Sequence, residues 1–363
     1  MSHRPLSSRP RAFLPLLLPA LVLLLLTACG RGGPDTDRLT FQAFGTLVDL
    51  TLYPAGAHDL ALIESELSAD LEIMHESWHA WEPGSLGRTN QLLGLGGQFS
   101  APPSVLPLIE RAQELERLTD GLFNPALGRL VAAWGFHQDE PAGPPPGSDA
   151  LAALLADPPR MADIERDGVR LRGRHPEVQL DFGGLAKGLA VARSLDLLAE
   201  LGVEYAIVNA GGDLMTLGQP PGRPWRIGLR DPRGAGVLAS IRLGAGEALF
   251  SSGDYERGYE WEGERVHHVI DPRSGRPSRG IASATVLHGD PALADAAATT
   301  LMIAGPEHWP AYAQRLGVEQ ALVVLDDGSV ELTPAMESRV EFRRDLEYRL
   351  RETRGAVDGG AAS

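Results

Sequence analysis

Short apolar segments in the second half of the chain constrain its fold more than any other feature. Each is rich in β-branched or aromatic residues and ends at glycine, proline or a polar residue, which is typical of β-strands. They lie at residues 178–182, 205–209, 225–229, 237–243, 248–251, 266–270 and 282–287. Two segments with helical spacing, at about 185–201 and 291–304, interrupt them. The order predicts a mixed α/β fold in which helices flank mixed sheets.

The first half of the chain contains mainly helical patterns. Apolar residues recur every three or four positions over residues 60–78, and Asp59 stands where a helix is capped, so we expect a helix of about 20 residues. A second helix is expected over 104–118, and a third is expected to begin near Pro125. Residues 139–147 are rich in proline and glycine, which predicts a surface loop and a seam between two lobes.

The N-terminal segment indicates export. Three arginines precede an apolar run at residues 13–26, and small residues then lead to Cys29. This pattern resembles a bacterial lipoprotein signal, which implies cleavage after residues 1–28, a lipid on the Cys29 thiol and a tether over 29–37. We therefore expect an exported, membrane-anchored protein that faces the periplasm or the cell exterior. An ordinary signal peptide or a membrane anchor stays open, although the run is short for a spanning helix.

Cysteine content and charge narrow the class of protein. Cys29 is the only cysteine, so no disulfide can form within the chain and stability must come from a packed core. Loss of residues 1–28 would remove three arginines and no acid, so the formal net charge of −15 would become −18. This excess of negative charge argues against nucleic acid as a partner. We expect the folded domain over 38–350 and a flexible tail over 351–363.

Two glycine-rich turns follow predicted strands. Gly183 and Gly184 precede a helix whose first amides can face an anion, and residues 209–213 allow a close approach of the backbone. Neither segment has the spacing of a Rossmann or Walker motif, and each alone is more often a tight turn. The only lysine of the chain, Lys187, lies at the start of this helix, where a compact ammonium differs from the planar guanidinium used elsewhere.

A carboxylate and a hydroxyl lie one helical turn apart near the end of the strand-rich region. Asp295 and Thr299 are at positions i and i+4 in an apolar segment, so both face the same side of a largely buried helix. Hard oxygen ligands of this kind suit Mg²⁺ rather than zinc. The same spacing on an isolated helix is usually solvated surface, but a buried carboxylate needs a partner.

Two successive histidines occupy a predicted strand. His267 and His268 must point to opposite faces, so we expect one to be structural. The other, with Asp271 three residues later, is a candidate general base near neutral pH. The same residues leave zinc open, although no cysteine is available and a third ligand is not evident.

Eight segments, taken in order, resemble the motifs of the ApbE family, the FAD:protein FMN transferases. They are residues 44–46, 81–90, 119–125, 181–188, 208–213, 252–257, 268–275 and 294–299. Each match is weak alone, but eight in the same order over most of the mature chain are specific. The resemblance implies an ApbE-like fold with two lobes around a dinucleotide site.

The family resemblance also implies a reaction and a set of residues. FMN would pass from FAD to a threonine or serine hydroxyl of an acceptor protein through a phosphoester bond, and AMP would leave. Mg²⁺ would be held by Asp295, Thr299 and the backbone carbonyl of Gly184, and His268 would activate the acceptor hydroxyl. The residues expected to hold FAD are Phe44, Trp81, Leu122, Phe123, Asn124, Asp181, Lys187 and the backbone of Ile270.

Four positions depart from the family pattern, and alternatives remain. Asn124 and Ala192 stand where aspartate is usual, Phe44 where methionine is usual and Trp81 where tyrosine is usual. The expected acceptors carry an FMN-binding domain, as in sodium-pumping NADH:quinone reductase or Rnf-type complexes. An FAD pyrophosphatase that yields FMN and AMP is the second hypothesis, and a non-catalytic flavin-binding lipoprotein is the third.

Overall fold

The computed structural model describes residues 35–353, so the predicted signal peptide, Cys29, most of the tether and most of the tail lie outside the described residues. Within this range the chain alternates between helices and strands. The helices are Leu60–Trp78 (α1), Ser85–Gly94 (α2), Leu106–Leu118 (α3), Gly128–Ala133 (α4), Ser148–Ala156 (α5), Ala186–Glu200 (α6), Pro291–Arg315 (α7) and Pro334–Glu337 (α8), with 3-10 turns at Pro103–Val105 and Met161–Asp163.

The strands are short and lie mostly after residue 200. They are Asp37–Ala43 (β1), Thr46–Tyr53 (β2), Phe99–Ser100 (β3), Ile164–Asp167 (β4), Arg170–Gly173 (β5), Tyr205–Ala210 (β6), Asp213–Leu217 (β7), Trp225–Arg230 (β8), Val237–Leu243 (β9), Ala248–Gly253 (β10), Gly258–Trp261 (β11), Glu264–His267 (β12), Ile270–Asp271 (β13), Arg276–Pro277 (β14), Ile281–His288 (β15), Gln320–Leu325 (β16), Val330–Leu332 (β17), Val340–Phe342 (β18) and Tyr348–Leu350 (β19). The predicted mixed α/β fold is confirmed.

One large sheet forms the centre of the molecule. Its strand order is β1-β2-β6-β7-β10-β15-β16-β17-β19, and neighbours are antiparallel except for the pair β17 and β19. Helices α6 and α7 pack against it and against each other. A second sheet has the order β18-β9-β8, and smaller sheets join β3-β5-β4, β11-β12 and β13-β14.

Alternation along the central strands builds two apolar layers. In β10, Ala248 and Phe250 belong to the cluster that packs on the helices, whereas Leu249 belongs to the cluster shared with the β18-β9-β8 sheet. The strand β16 divides in the same way, with Val323 in the first cluster and Leu322 in the second. Because successive side chains point to opposite faces of a sheet, nearly continuous apolar runs are needed where both faces are covered.

Most predicted elements are present. Helix α1 begins as expected, since the Asp59 carboxylate accepts a hydrogen bond from the Leu62 N–H at 3.2 Å. Helix α7 begins at Pro291, is interrupted at Gly305 (φ 78°) and continues to Arg315, beyond the predicted end at 304. The predicted strand 266–270 is divided, because β12 pairs with β11 whereas β13 pairs with β14.

The predicted strand at 178–182 is wrong. This segment forms only an isolated parallel bridge between Gln179 and Leu127. Its backbone is satisfied in another way: the Leu180 N–H donates to the Asn90 side chain at 2.8 Å, and the Asp181 N–H donates to the Pro125 carbonyl at 2.9 Å. The third helix begins at Gly128, three residues after Pro125, whose carbonyl accepts the Asp181 N–H.

The described residues 36–353 belong to one compact unit. The 139–147 segment has no helix or strand, as predicted for a surface loop. Strand β1 begins at Asp37, the last residue of the predicted tether. Within residues 35–353, no helix has the length and apolar character needed to cross a membrane.

Candidate active site

Two neighbouring cavities meet at Gly183, Arg257 and His268. They bring together most of the residues that the sequence predicts for the site. Those in the first cavity are Leu122, Phe123, Asn124, Asp181, Gly184, Ile270 and Thr299, and those in the second are Phe44 and Lys187. Asp295 and Trp81 line neither of these cavities. The Trp81 indole N–H donates to Asp181 of the first cavity, and Asp295 accepts a hydrogen bond from Gly188, the residue after Lys187.

Asp295 and Thr299 lie on the side of α7 that faces α6 and β10. Asp295 is 4% exposed, and its Oδ2 atom accepts a hydrogen bond from the Gly188 N–H at 2.9 Å. The Thr299 hydroxyl lies 2.9 Å from the Ser252 hydroxyl of β10. Gly184 lies against Thr299, because a Cβ atom at position 184 would come within 3.4 Å of Thr299 Oγ1.

This set of donors fits a hard divalent cation. Asp295 is buried and uses one carboxylate oxygen on Gly188, while its other oxygen accepts no hydrogen bond among the described residues. A hydroxyl and the backbone of Gly184 complete an oxygen-only set, which suits Mg²⁺ better than softer metals. No group of three or more His, Cys, Asp and Glu side chains able to hold a metal occurs within residues 35–353, so the zinc alternative gains no support.

Lys187 is held by carboxylates at the start of α6. Its ammonium forms an ion pair with Asp213, whose side chain is 4% exposed and whose second oxygen accepts the Ser251 N–H at 2.8 Å. Burial works to lower the pKa of Lys187, but the carboxylates of Asp213, Asp295 and Glu256 outweigh it and raise the pKa. The ammonium is therefore charged in the folded protein.

The same cluster affects its carboxylates. Burial raises the pKa of Asp295 well above its usual range, and the charge of Asp213 adds to this effect, whereas Lys187 and the Gly188 N–H act against it. Desolvation also raises the pKa of Glu256, which lines the second cavity, against the attraction of Lys187. A cation bound nearby would favour the ionised form of both carboxylates.

His268 is the one residue of the histidine pair that faces the cavities. His267 is buried, and its ring Nε2 lies 2.8 Å from the Ser278 carbonyl, which indicates a structural role. The His268 Nδ1 lies 3.3 Å from the Arg257 carbonyl, and since a carbonyl only accepts, Nδ1 carries the proton and Nε2 keeps its lone pair. The Asp271 carboxylate is engaged by Arg273 at 2.9 Å, so the expected pairing with His268 is not formed.

The protonation state of His268 suits a general base. Burial lowers its pKa to about 3, and the neighbouring charges of His267 and Lys187 act in the same direction. The imidazole is therefore neutral near pH 7 and has a free lone pair. Its pKa lies well below the near-neutral value expected from the sequence, which makes it a weaker proton acceptor. Its ring also lies edge-on to Phe136, with 6.3 Å between the ring centroids, which fixes its position.

The residues predicted to hold FAD differ in how they reach the cavities. The Asp181 carboxylate lines the first cavity and accepts a hydrogen bond from the Gly183 N–H at 2.8 Å. It also accepts a hydrogen bond from the Trp81 indole N–H at 3.3 Å, so Trp81 orients Asp181. Phe44 has a positive φ of 53° and stacks on Trp78, with 6.2 Å between ring centroids. Its ring thus comes from a tight turn at the second cavity.

Asn124 is engaged by the protein at both ends of its amide. Its Nδ2 donates to the Pro159 carbonyl at 2.9 Å, and its Oδ1 accepts the Ala126 N–H at 3.0 Å. An aspartate at this position would lack the donor for Pro159. Asparagine therefore suits the turn that shapes the first cavity, and its role toward FAD stays a prediction.

Four residues of the site were not identified from the sequence. Asp213, Ser252, Glu256 and Arg257 lie in two of the recognised motifs, but no local pattern showed which ligand or residue they contact. The signal for Asp213 is indirect, because a buried lysine needs a carboxylate partner and Asp213 is that partner. The other three depend on the pairing of distant strands.

Comparison with known proteins places the chain in a family. The family model described as the ApbE family matches residues 44–323. An FAD:protein FMN transferase from Rhodobacter capsulatus is 42% identical over 311 residues, which are 85% of this chain and 59% of that protein. An FAD:protein FMN transferase from Vibrio cholerae is 30% identical, over 85% of this chain and 93% of its own length.

A solved structure agrees with these relatives. The crystal structure of the ApbE protein from Thermotoga maritima matches with a TM-score of 0.76 and 28% identity, over 85% of this chain and all of that chain. The chain belongs to the ApbE family. It spans 59% of the length of the Rhodobacter capsulatus relative, so it matches only part of that longer protein.

Proposed function

We propose that this ApbE-family chain is an Mg²⁺-dependent enzyme that transfers FMN from FAD to a threonine or serine hydroxyl of an acceptor protein and releases AMP. One observation carries the proposal. Thr299 lines one of two joined cavities and His268 lines both, and the buried Asp295 lies one helical turn before Thr299. The names of the curated relatives support the same activity.

The reaction breaks the phosphoanhydride bond of FAD and forms a phosphoester bond to the acceptor. The acceptor hydroxyl oxygen attacks the FMN-side phosphorus of the FAD pyrophosphate, its proton passes to Nε2 of His268, and the bond to the AMP phosphate breaks. AMP leaves with the bridging oxygen. The Arg257 carbonyl accepts a hydrogen bond from the Nδ1–H group of His268, which keeps the lone pair on Nε2.

Charge neutralisation is the main task of the remaining residues. Asp295, Thr299 and the Gly184 carbonyl would hold Mg²⁺, which when bound stabilises negative charge on phosphate oxygens. The Lys187 ammonium stays charged at the second cavity and is held in place by its ion pair with Asp213. FAD would be positioned by the remaining residues that the family resemblance indicates, which are Phe44, Trp81, Leu122, Phe123, Asn124, Asp181 and the backbone of Ile270.

The location and partners follow from the N-terminal pattern and the family. We propose that the chain is exported, lipidated at Cys29 and anchored to a membrane facing the periplasm or the cell exterior. Its acceptors would be exported FMN-binding domains of the sodium-pumping NADH:quinone reductase or Rnf type. The high net negative charge of the chain gives no support to a nucleic-acid partner.

The test uses the full chain in detergent with FAD, Mg²⁺ and the soluble FMN-binding domain of an Rnf-type acceptor. Intact-mass spectrometry should show a gain of one FMN on the acceptor, which EDTA abolishes. The Asp295→Ala variant should bind FAD but leave the acceptor unmodified. AMP without a modified acceptor would favour the pyrophosphatase alternative, and FAD binding without either product would favour a binding protein.

A further inference from the structure

The β18-β9-β8 sheet has a free edge beside the second cavity. Strand β8 pairs with β9 on one side and with no strand on the other, among the described residues. Residues 227–230 of β8 line the second cavity together with Lys187 and His268. The free edge therefore borders the region in which the acceptor hydroxyl must arrive.

The neighbouring strand fixes which backbone groups point to that edge. In β9, the Arg242 N–H donates to the Arg339 carbonyl at 3.4 Å, and the Leu238 carbonyl accepts the Arg343 N–H at 3.0 Å. Both partners lie on the β18 side. Because the N–H and C=O of one residue point to the same side and the sides alternate, even-numbered residues of β9 face β18.

The register carries this result over to β8. Gly228 lies opposite Ser240, and Arg226 lies opposite Arg242. Since these β9 residues direct their backbone groups toward β18, their partners in β8 direct theirs the other way, to the free edge. Within residues 35–353, no hydrogen bond reaches these groups. An unpaired edge of this kind is a template for an added strand.

One face of β8 is packed in the core, and the other face is accessible at Gly228. Trp225 and Leu229 are buried in the apolar cluster that the central sheet shares with the β18-β9-β8 sheet, so one face of β8 is packed against the protein. Gly228 is exposed and has no side chain to obstruct an approaching chain. A Cβ atom there would meet only the methyl groups of Val237, at 3.3 and 3.4 Å.

Charge indicates what would bind. Arg226 and Arg230 flank Gly228 on the exposed face, and Arg226 is paired with Glu341. Arg230 lies over the ring of Tyr255, 4.6 Å from its centroid, and forms no ion pair with a carboxylate among the described residues. Arg230 therefore supplies the positive charge at this edge, since the charge of Arg226 is matched by Glu341.

We propose that an extended segment of the acceptor protein, with acidic residues near its threonine or serine, adds to the free edge of β8 as an extra strand. Pairing with Gly228 would bring the hydroxyl into the cavity that contains His268. The inference rests on the proposed function, since it supplies the binding mode of the acceptor.

The decisive variants are Gly228→Pro and Gly228→Ala. Proline removes the outward N–H of an edge strand without breaking a bond to β9, whereas alanine keeps the N–H. With the Rnf-type FMN-binding domain as acceptor, Gly228→Pro should raise the KM for the acceptor by about tenfold. The Kd for FAD, followed by flavin fluorescence, should not change. Gly228→Ala keeps the N–H, so it should raise the acceptor KM less than Gly228→Pro does.

The outcomes separate this inference from the function on which it rests. If the wild type does not modify the acceptor, the proposed function fails and the docking edge falls with it. If the wild type transfers FMN and Gly228→Pro has the same acceptor KM, the docking edge alone is wrong. An equal loss of FAD affinity would also overturn it, because the edge would then serve the nucleotide.

A second measurement needs no variant of the edge. Amide hydrogen exchange of residues 225–230 in the wild-type chain is compared with and without an acceptor domain whose target threonine is replaced by valine. Slower exchange of this strand is the expected result. Unchanged exchange at acceptor concentrations that saturate transfer would contradict the proposal.

Discussion

Lys187 forms an ion pair with Asp213 at the wall of the second cavity, and the two residues come from different secondary-structure elements, α6 and β7. Asp213 is nearly inaccessible to solvent and also accepts the Ser251 N–H at 2.8 Å. A charge buried in this way is stable only while its partner is present. The only lysine of the chain therefore stabilises the fold as well as supplying charge to the site.

Removal of Lys187 should therefore destabilise the protein. Lys187→Met leaves the Asp213 carboxylate uncompensated, and we expect the free energy of unfolding to fall by about 3 kcal/mol in urea denaturation. Arg193→Met is the matched control, because Arg193 pairs with Asp70 at an exposed site and should cost less than about 1 kcal/mol. Equal losses in the two variants would contradict a structural role for the buried pair.

Close packing of α6 against α7 should make Gly188 intolerant of a side chain. A Cβ atom at position 188 would lie 2.4 Å from the Pro291 carbonyl oxygen and 2.7 Å from the Ala292 Cα. Gly188→Ala should lower the unfolding free energy by about 2 kcal/mol and weaken transfer, because the Gly188 N–H also orients Asp295. Gly97→Ala, where no atom lies within 4 Å, should do neither.

The Thr299 hydroxyl should set the requirement for Mg²⁺. Thr299→Val keeps the shape of the side chain but removes an oxygen ligand, so the Mg²⁺ concentration for half-maximal transfer should rise by at least about tenfold. Ser252→Ala should have a smaller effect in the same direction, since the Ser252 hydroxyl forms a hydrogen bond with that of Thr299.

Thr300→Val provides the control for this series. Thr300 is the next residue of the helix, and its hydroxyl donates to the Ala296 carbonyl at 2.7 Å, away from the site. The Mg²⁺ dependence of Thr300→Val should match that of the wild type. If Thr299→Val also matched the wild type, the metal assignment would be wrong.

His268 should not gain a proton in the range where a free histidine does. Because burial lowers its pKa to about 3, the NMR signal of its Cε1 proton should not shift between about pH 8 and about pH 5 in the metal-free protein. His268→Gln identifies the signal. A midpoint near 6.5 would show that the ring is not desolvated.

The same pKa has a consequence for stability. The folded-state pKa lies below the unfolded value, so between about 6.5 and about 3 the unfolded chain binds a proton at this residue that the folded chain does not. His268 therefore lowers stability as the pH falls through that range. His268→Gln should flatten this part of the dependence of unfolding free energy on pH.

Local features of the chain were predictable from its sequence. The Asp59 cap and helix α1 follow from spacing alone, and so does the shared helical face of Asp295 and Thr299. The order of eight motifs indicated the family, which the matching family model then confirmed over residues 44–323. The cap and the helical face depend on residues a few positions apart, whereas the family assignment depends on short motifs spread over residues 44–299.

Contacts between distant segments were not predictable in the same way. Lys187 and Asp213 are 26 residues apart, and Ser252 and Thr299 are 47 apart. They meet because the central sheet places β7 beside β10 and because α6 and α7 pack on it, and no local pattern specifies that order. The strand predicted at 178–182 was wrong for the same reason. Its apolar residues fit a strand, but the Leu180 N–H donates to the distant Asn90 side chain instead of to a neighbouring strand.

The ratio of AMP released to FMN bound on the acceptor tests the central claim most directly. Full-length chain, FAD, Mg²⁺ and the Rnf-type FMN-binding domain are mixed, and both products are measured over time in the same samples. One AMP for each FMN attached to a threonine or serine, with both lost in Asp295→Ala, is the predicted result. AMP that accumulates while the acceptor stays unmodified would contradict the account and identify a hydrolase.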